Sequence, residues 1–184
     1  MSDENNSDGQ GAVAPGGEPA DQAQRQLVLQ KIYLKDLSFE SPNSPQVFSG
    51  QVGEPQIQFN LKSASRQVGE DAWEVVLTIT VDAKGAEERS LFLVEIQQAG
   101  IFQVSGYEEE QMRPLLGSYC PGVLYPYARE AVSELVSRGG FPQLLLQPIN
   151  FDAVYMQSQA EQQAEGSTPA AQEATAGVSG SSTH

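Results

Sequence analysis

Trp73-Glu74-Val75-Val76-Leu77-Thr78-Ile79-Thr80-Val81 is the stretch on which the fold turns. It is rich in β-branched residues and places Val75, Leu77, Ile79 and Val81 on one side, the pattern of a strand with a buried face. Downstream, Asp82-Ala83-Lys84-Gly85 reads as a turn into a second strand, Ser90 to Gln98. There Phe92, Val94 and Ile96 share one face, while Leu91, Leu93, Glu95 and Gln97 share the other. Upstream, Gln56-Ile57-Gln58-Phe59-Asn60-Leu61 alternates strictly between amides and apolar residues. The segment Leu27 to Glu40 reads as extended and stops at Ser41-Pro42-Asn43-Ser44-Pro45, where two prolines prevent regular pairing. These runs describe a sheet packed on one side and partly solvated on the other.

In the second half the period changes. Glu108-Glu109-Glu110 suits a helix N-terminus, and Met112, Leu115 and Leu116 indicate a short helical piece that Pro121-Gly122 interrupts. Leu124, Tyr127, Ala128, Ala131, Val132, Leu135 and Val136 recur at helical spacing across Val123 to Arg138. Pro126 is expected in the first turn and Gly139 at the C-terminal cap. A loop, Phe141 to Pro148, leads to Asn150, the expected N-cap of a last helix. Strands followed by helices imply an α+β fold, an antiparallel sheet with helices on one face.

Composition narrows the function. The chain has 184 residues with 10 Lys and Arg against 24 Asp and Glu, a formal net charge of −14. That balance argues against nucleic-acid binding, which needs clustered cations, and against docking on an anionic membrane. A lone cysteine, Cys120, cannot make an intrachain disulfide, and the single histidine, His184, is the last residue. Histidine-based catalysis or metal binding is therefore not expected, and Cys120 reads as buried packing rather than as a nucleophile. Glu87-Glu88 and Glu108 to Glu110 read as solvated faces or helix starts rather than acid–base pairs. No Asp-x-Asp-x-Asx-Gly loop or phosphate-binding glycine pattern is present. No apolar run approaches the roughly 20 residues needed to span a bilayer. The N-terminal stretch has no base before Arg25 and does not read as a signal peptide. Residues 1–26 and 157–184 are acidic and poor in large apolar residues, so both are expected to be disordered tails flanking a domain at 27–156. The first turns after Met156 are compatible with a helix. The sum is an acidic, cytoplasmic protein that is not an enzyme.

Several stretches closely resemble the SecB protein-export chaperones. They are Ile32-Tyr33-Leu34-Lys35-Asp36-Leu37-Ser38-Phe39-Glu40-Ser41-Pro42-Asn43, Leu93-Val94-Glu95-Ile96-Gln97-Gln98-Ala99-Gly100-Ile101-Phe102, and the long run from Leu116 to Glu130. The likeness continues through Val136 to Pro142 and Pro148 to Asp152, so it spans about residues 27–156 in the family's order. It implies a four-stranded antiparallel sheet per subunit and a homotetramer assembled as a dimer of dimers. It also implies a cytoplasmic chaperone without ATP site or cofactor, which holds unfolded precursor proteins and passes them to the SecA ATPase.

By the same resemblance, Asp36, Glu40, Leu93 and Glu95 form the surface that meets the zinc-binding tail of SecA. Val94, Ile96 and Gln98 serve subunit assembly from the opposite side of the strand. The client groove is expected to include Ile57, Phe59 and Leu61, with Phe141, Leu144 and Leu146 from the Pro-rich connection. Many relatives carry a tryptophan where this chain has Gly53, so a large aromatic contribution to the groove is either missing or supplied by Phe48 or Phe59. The alternative is a SecB-like chaperone for other clients, such as an antitoxin, without SecA targeting.

Overall fold

The computed structural model describes residues 25–49 and 54–166. Of the tails expected at 1–26 and 157–184, residues 1–24 and 167–184 lie outside the described residues, as does the Gly53 position, while 157–166 continue the last helix. Four long strands, β1 (Gln26–Glu40), β2 (Gln56–Gln67), β3 (Ala72–Lys84) and β4 (Ser90–Ser105), form one antiparallel sheet in the order β1-β4-β3-β2. β2, β3 and β4 make a meander, and β1 pairs with the far side of β4, a Greek-key arrangement. Helices follow: α1 (Glu109–Pro114), a π-helical turn (Leu115–Tyr119), α2 (Cys120–Arg138) and α3 (Phe151–Gly166).

α2 packs along β3 and β4 on one face of the sheet. Val75, Leu77, Ile79 and Val81 of β3 and Val94, Ile96 and Phe102 of β4 meet Leu124, Ala128, Val132 and Val136 of the helix, and all are buried. Each of the larger of these side chains contributes about 1.5–3 kcal/mol on leaving water, and Ala128 less than about 1 kcal/mol. The close approach depends on Gly100, where an added Cβ would lie 2.8 Å from the Leu124 side chain and 3.0 Å from the Phe102 ring.

Several expected boundaries move. β4 does not stop at Gln98 but continues through Ala99-Gly100 to Ser105, because there the small residues admit the helix rather than break the strand. Asp82, Ala83 and Lys84 are not a turn. They complete β3, pairing with Gln58, Ile57 and Gln56 on one side and with β4 on the other. The reversal falls at Gly85 to Arg89, with Glu87 and Glu88 at positive φ. Pro121-Gly122 does not interrupt the helix, and Pro126 sits inside α2 rather than in its first turn. The preceding π turn widens the backbone before Pro121, which lacks an N–H and would crowd the carbonyl four residues back.

α2 ends as the sequence predicts. Gly139 is the cap, Gly140 takes φ +85°, and the Gly140 and Phe141 amides donate to the Ser137 and Val136 carbonyls, a Schellman motif. Asn150 caps α3, its Oδ1 accepting from the Ala153 amide at 3.2 Å.

Candidate functional site

The sheet has two unlike faces. On the helix side, at the end near Lys84 and Ser90, the strands are not roofed by α2. There the connector after α2 runs past the turn that follows β1, and a groove of about 450 Å³ opens between them. Phe48, Ile57, Leu91, Phe92, Phe141 and Leu144 are among its walls. Its aromatic rings touch in series: the Phe48 and Phe141 centroids are 5.2 Å apart and those of Phe92 and Phe141 are 4.9 Å apart. Phe39 stacks on Phe92 at 6.1 Å behind them. Phe48 remains 52% exposed. An apolar groove of this shape takes side chains from water without reading a fixed partner shape, because burial energy follows area rather than direction.

Three of the six expected groove residues, Ile57, Phe141 and Leu144, line this cavity. Phe59 follows Ile57 along the same face of β2 and is 41% exposed, outside the lining. Leu61 is half-buried against the core. Leu146 is buried in the core and borders a separate groove beside α2. Phe48, of the two aromatics expected to stand in for tryptophan, is the one in the groove. Val47, Pro55, Leu91, Phe92 and Pro142 were not anticipated, since they meet only through long-range folding.

The open face of the sheet is polar. The register pairs Glu40 with Leu93, Ser38 with Glu95 and Asp36 with Gln97, so the four residues expected to form an acidic surface do share one face. Asp82 of β3 pairs with Leu93 from the other side and adds a carboxylate that the turn reading had hidden. Thr80 donates to Glu95 at 3.4 Å, and Lys84 lies 3.8 Å from Asp82.

Val94, Ile96 and Gln98 point the other way. Val94 and Ile96 are buried beneath the chain's own helix, and Gln98 donates to the Tyr33 carbonyl at 2.9 Å. Their partners across the ladder are Phe39, Leu37 and Leu34 of edge strand β1. Leu34 and Leu37 are exposed on that edge.

Farther along the open face, Glu74 is buried (3% exposed) among three partners. Arg66 reaches it at 2.5 Å, Lys35 at 2.9 and 3.0 Å, and the Tyr33 hydroxyl also donates to it. The Arg66 and Tyr33 hydrogen bonds hold its carboxyl well below the usual range, at about 2. On the helix side, burial pushes the Cys120 thiol up to about 12, the opposite of an activated nucleophile. Among the described residues no three His, Cys, Asp or Glu gather as a metal site, and no helix is long and apolar enough to cross a membrane.

These features match known proteins along most of their length. The family model described as SecB, preprotein translocase subunit SecB, matches residues 20–162. The chain is 57% identical over 150 residues to the protein-export protein SecB of Methylococcus capsulatus, covering 80% of this chain and 96% of that one. It is 51% identical over 144 residues to the protein-export protein SecB of Nitrosococcus oceani, covering 78% and 87%. Among solved structures, the Mycobacterium tuberculosis SecB-like chaperone, in complex with an antitoxin peptide, superposes with a TM-score of 0.55 at 19% identity. That match covers 67% of this chain and 90% of the other, and it bears on the fold alone. With the family model spanning the whole sheet, α1, α2 and most of α3, and curated relatives identical at half or more of the aligned positions, this chain belongs to the SecB family.

Proposed function

We propose that this chain is an ATP-independent holding chaperone that keeps precursor proteins unfolded in the cytoplasm and delivers them to SecA for export. The observation that carries the reading is the exposed aromatic groove around Phe48 and Phe141, an apolar surface left unroofed beside a well-packed core. At roughly 25 cal/mol per Å² removed from water, one groove supplies modest affinity. Several grooves on one particle, engaged by one long client, raise it through effective concentration.

Assembly as a dimer of dimers fits the exposed edge of β1. An edge strand with unpaired backbone groups and exposed Leu34 and Leu37 on its helix side is a surface that a second subunit would cover. Val94, Ile96 and Gln98 act on assembly from beneath, by setting the positions of Phe39, Leu37 and Leu34. Asp36, Glu40, Leu93 and Glu95 form an acidic surface around an apolar spot, suited to steering a basic, metal-ordered SecA tail.

The test is light scattering of an unfolded precursor with and without the purified protein, run beside a mass measurement. Suppressed aggregation by a particle of four chains is expected; a monomer without effect contradicts the reading. Substituting Asp36 and Glu95 by Lys should abolish SecA association while sparing client holding. Unchanged SecA affinity would favour a chaperone for other clients.

A further inference from the structure

The open face of the sheet is acidic only at one end. From the row of Asp36, Gln97, Thr78 and Lys62 toward the β2–β3 turn, the same face carries Lys62 at its border and then Lys31, Lys35 and Arg66, four of the chain's ten cationic side chains. Glu74 neutralises one of them. Between the cations, Ala64, Val76, Ala99 and Ile101 make a shallow apolar floor. Glu70 and Asp71 stand in the β2–β3 turn, so the positive charge centres over the strands rather than at their tip.

We propose that the acidic segment of residues 1–24 of the same chain docks on this basic half of the open face. That segment carries Asp3, Glu4, Asp8, Glu18 and Asp21 and no Lys or Arg. It joins the domain beside the patch: Gln26 pairs with Ser105 at this end of the sheet, and the Arg25 guanidinium lies 5.9 Å from the Tyr107 ring. Lys31 is five residues farther along β1, about 17 Å from Gln26 at strand spacing. Lys62 lies three strands over, about 14 Å across the sheet, and level with Gln97, about 27 Å along it from the Gln26–Ser105 row, or about 30 Å in all. A random coil of 24 residues would have a root-mean-square reach of about 27 Å and an extended span of about 80 Å, which brings Lys31 and Lys62 within range. The other stretch outside the described residues, 167–184, holds one carboxylate, Glu173, and matches the patch poorly. Tethering supplies a high local concentration, so individually weak surface pairs suffice, and screening by salt should release them. Docked, the segment turns the basic half of the face negative and extends the acidic surface across all four strands.

The test is lysine acetylation followed by mass spectrometry on the full-length protein. It is compared with a variant carrying Asp3→Asn, Glu4→Gln, Asp8→Asn, Glu18→Gln and Asp21→Asn. At low ionic strength Lys31 and Lys62 should react about threefold or more slowly in the parent chain, and 0.5 M salt should erase the difference. Lys84, on the acidic half, should react alike in both. Equal rates for Lys31 and Lys62, or protection that persists in the variant, would overturn the proposal. Carbodiimide should join these lysines to carboxylates of residues 1–24 within one chain. Cross-links found only between isotopically light and heavy chains would give the patch to a second copy and overturn the same-chain assignment.

Discussion

The two faces of one sheet use the same strands for opposite ends. Odd-numbered β3 residues such as Val75, Leu77 and Ile79 are shut under α2, while their neighbours Glu74, Thr78 and Thr80 look out from the open face. On the helix side the energy is apolar area, and where the helix ends the unspent remainder becomes the groove around Phe48 and Phe141. On the open side the energy is electrostatic, concentrated in the Glu74 cluster and spread thinly elsewhere. A holding chaperone needs both: a rigid core to support an exposed apolar surface, and a soluble back.

The largest effect should come from the roofed part of the helix side. Leu124→Ala removes a fully buried side chain between α2 and the sheet and should cost about 3 kcal/mol of stability, read by denaturant unfolding. A loss below about 1 kcal/mol would mean that α2 is loosely held.

On the open side, Glu74 gives the next effect. Its carboxyl sits at about 2, below the ordinary 4.5, because Arg66 and Tyr33 bond the charged form. A lowered folded value means that the stabilisation is complete above pH 4.5 and is lost as pH falls from there toward 2. With Arg66 largely exposed, the contribution is about 2 kcal/mol or less. Glu74→Gln should flatten the stability profile in that window and lower stability at neutral pH. An unchanged profile would show the cluster to be decorative.

In the groove, Phe48→Ala should barely alter folding, since the ring is half exposed, yet should weaken client binding about tenfold by withdrawing apolar area. Equal loss of stability and binding would make Phe48 a core residue instead. Smallest of all, Arg113→Ala breaks an exposed pair with Glu109 at 2.6 Å and should shift stability by less than about 0.5 kcal/mol.

What could be read from sequence follows the same divide. β3 alternates cleanly because it is central, with neighbours on both sides fixing which residues face in. β1 reads as merely interleaved because irregularities at Gln30 and Lys35 each shift its register by one residue. Gly100 reads as a strand end when its role is to admit Leu124, a contact 24 residues away. The groove was half legible: Phe48, Ile57, Phe141 and Leu144 were candidates, whereas Leu91 and Phe92 join it only once the β4 end and the segment after β1 are brought together. Asp82 was lost to a turn composition that the long β3–β4 ladder overrides.

The most direct measurement is methyl NMR of the protein bound to an unfolded precursor. Methyls of Ile57, Leu91 and Leu144 in the groove should shift or broaden, while Leu93 and Ile101 on the open face should keep their free positions. Perturbation confined to Leu93 and Ile101, with the groove methyls unmoved, would contradict the account.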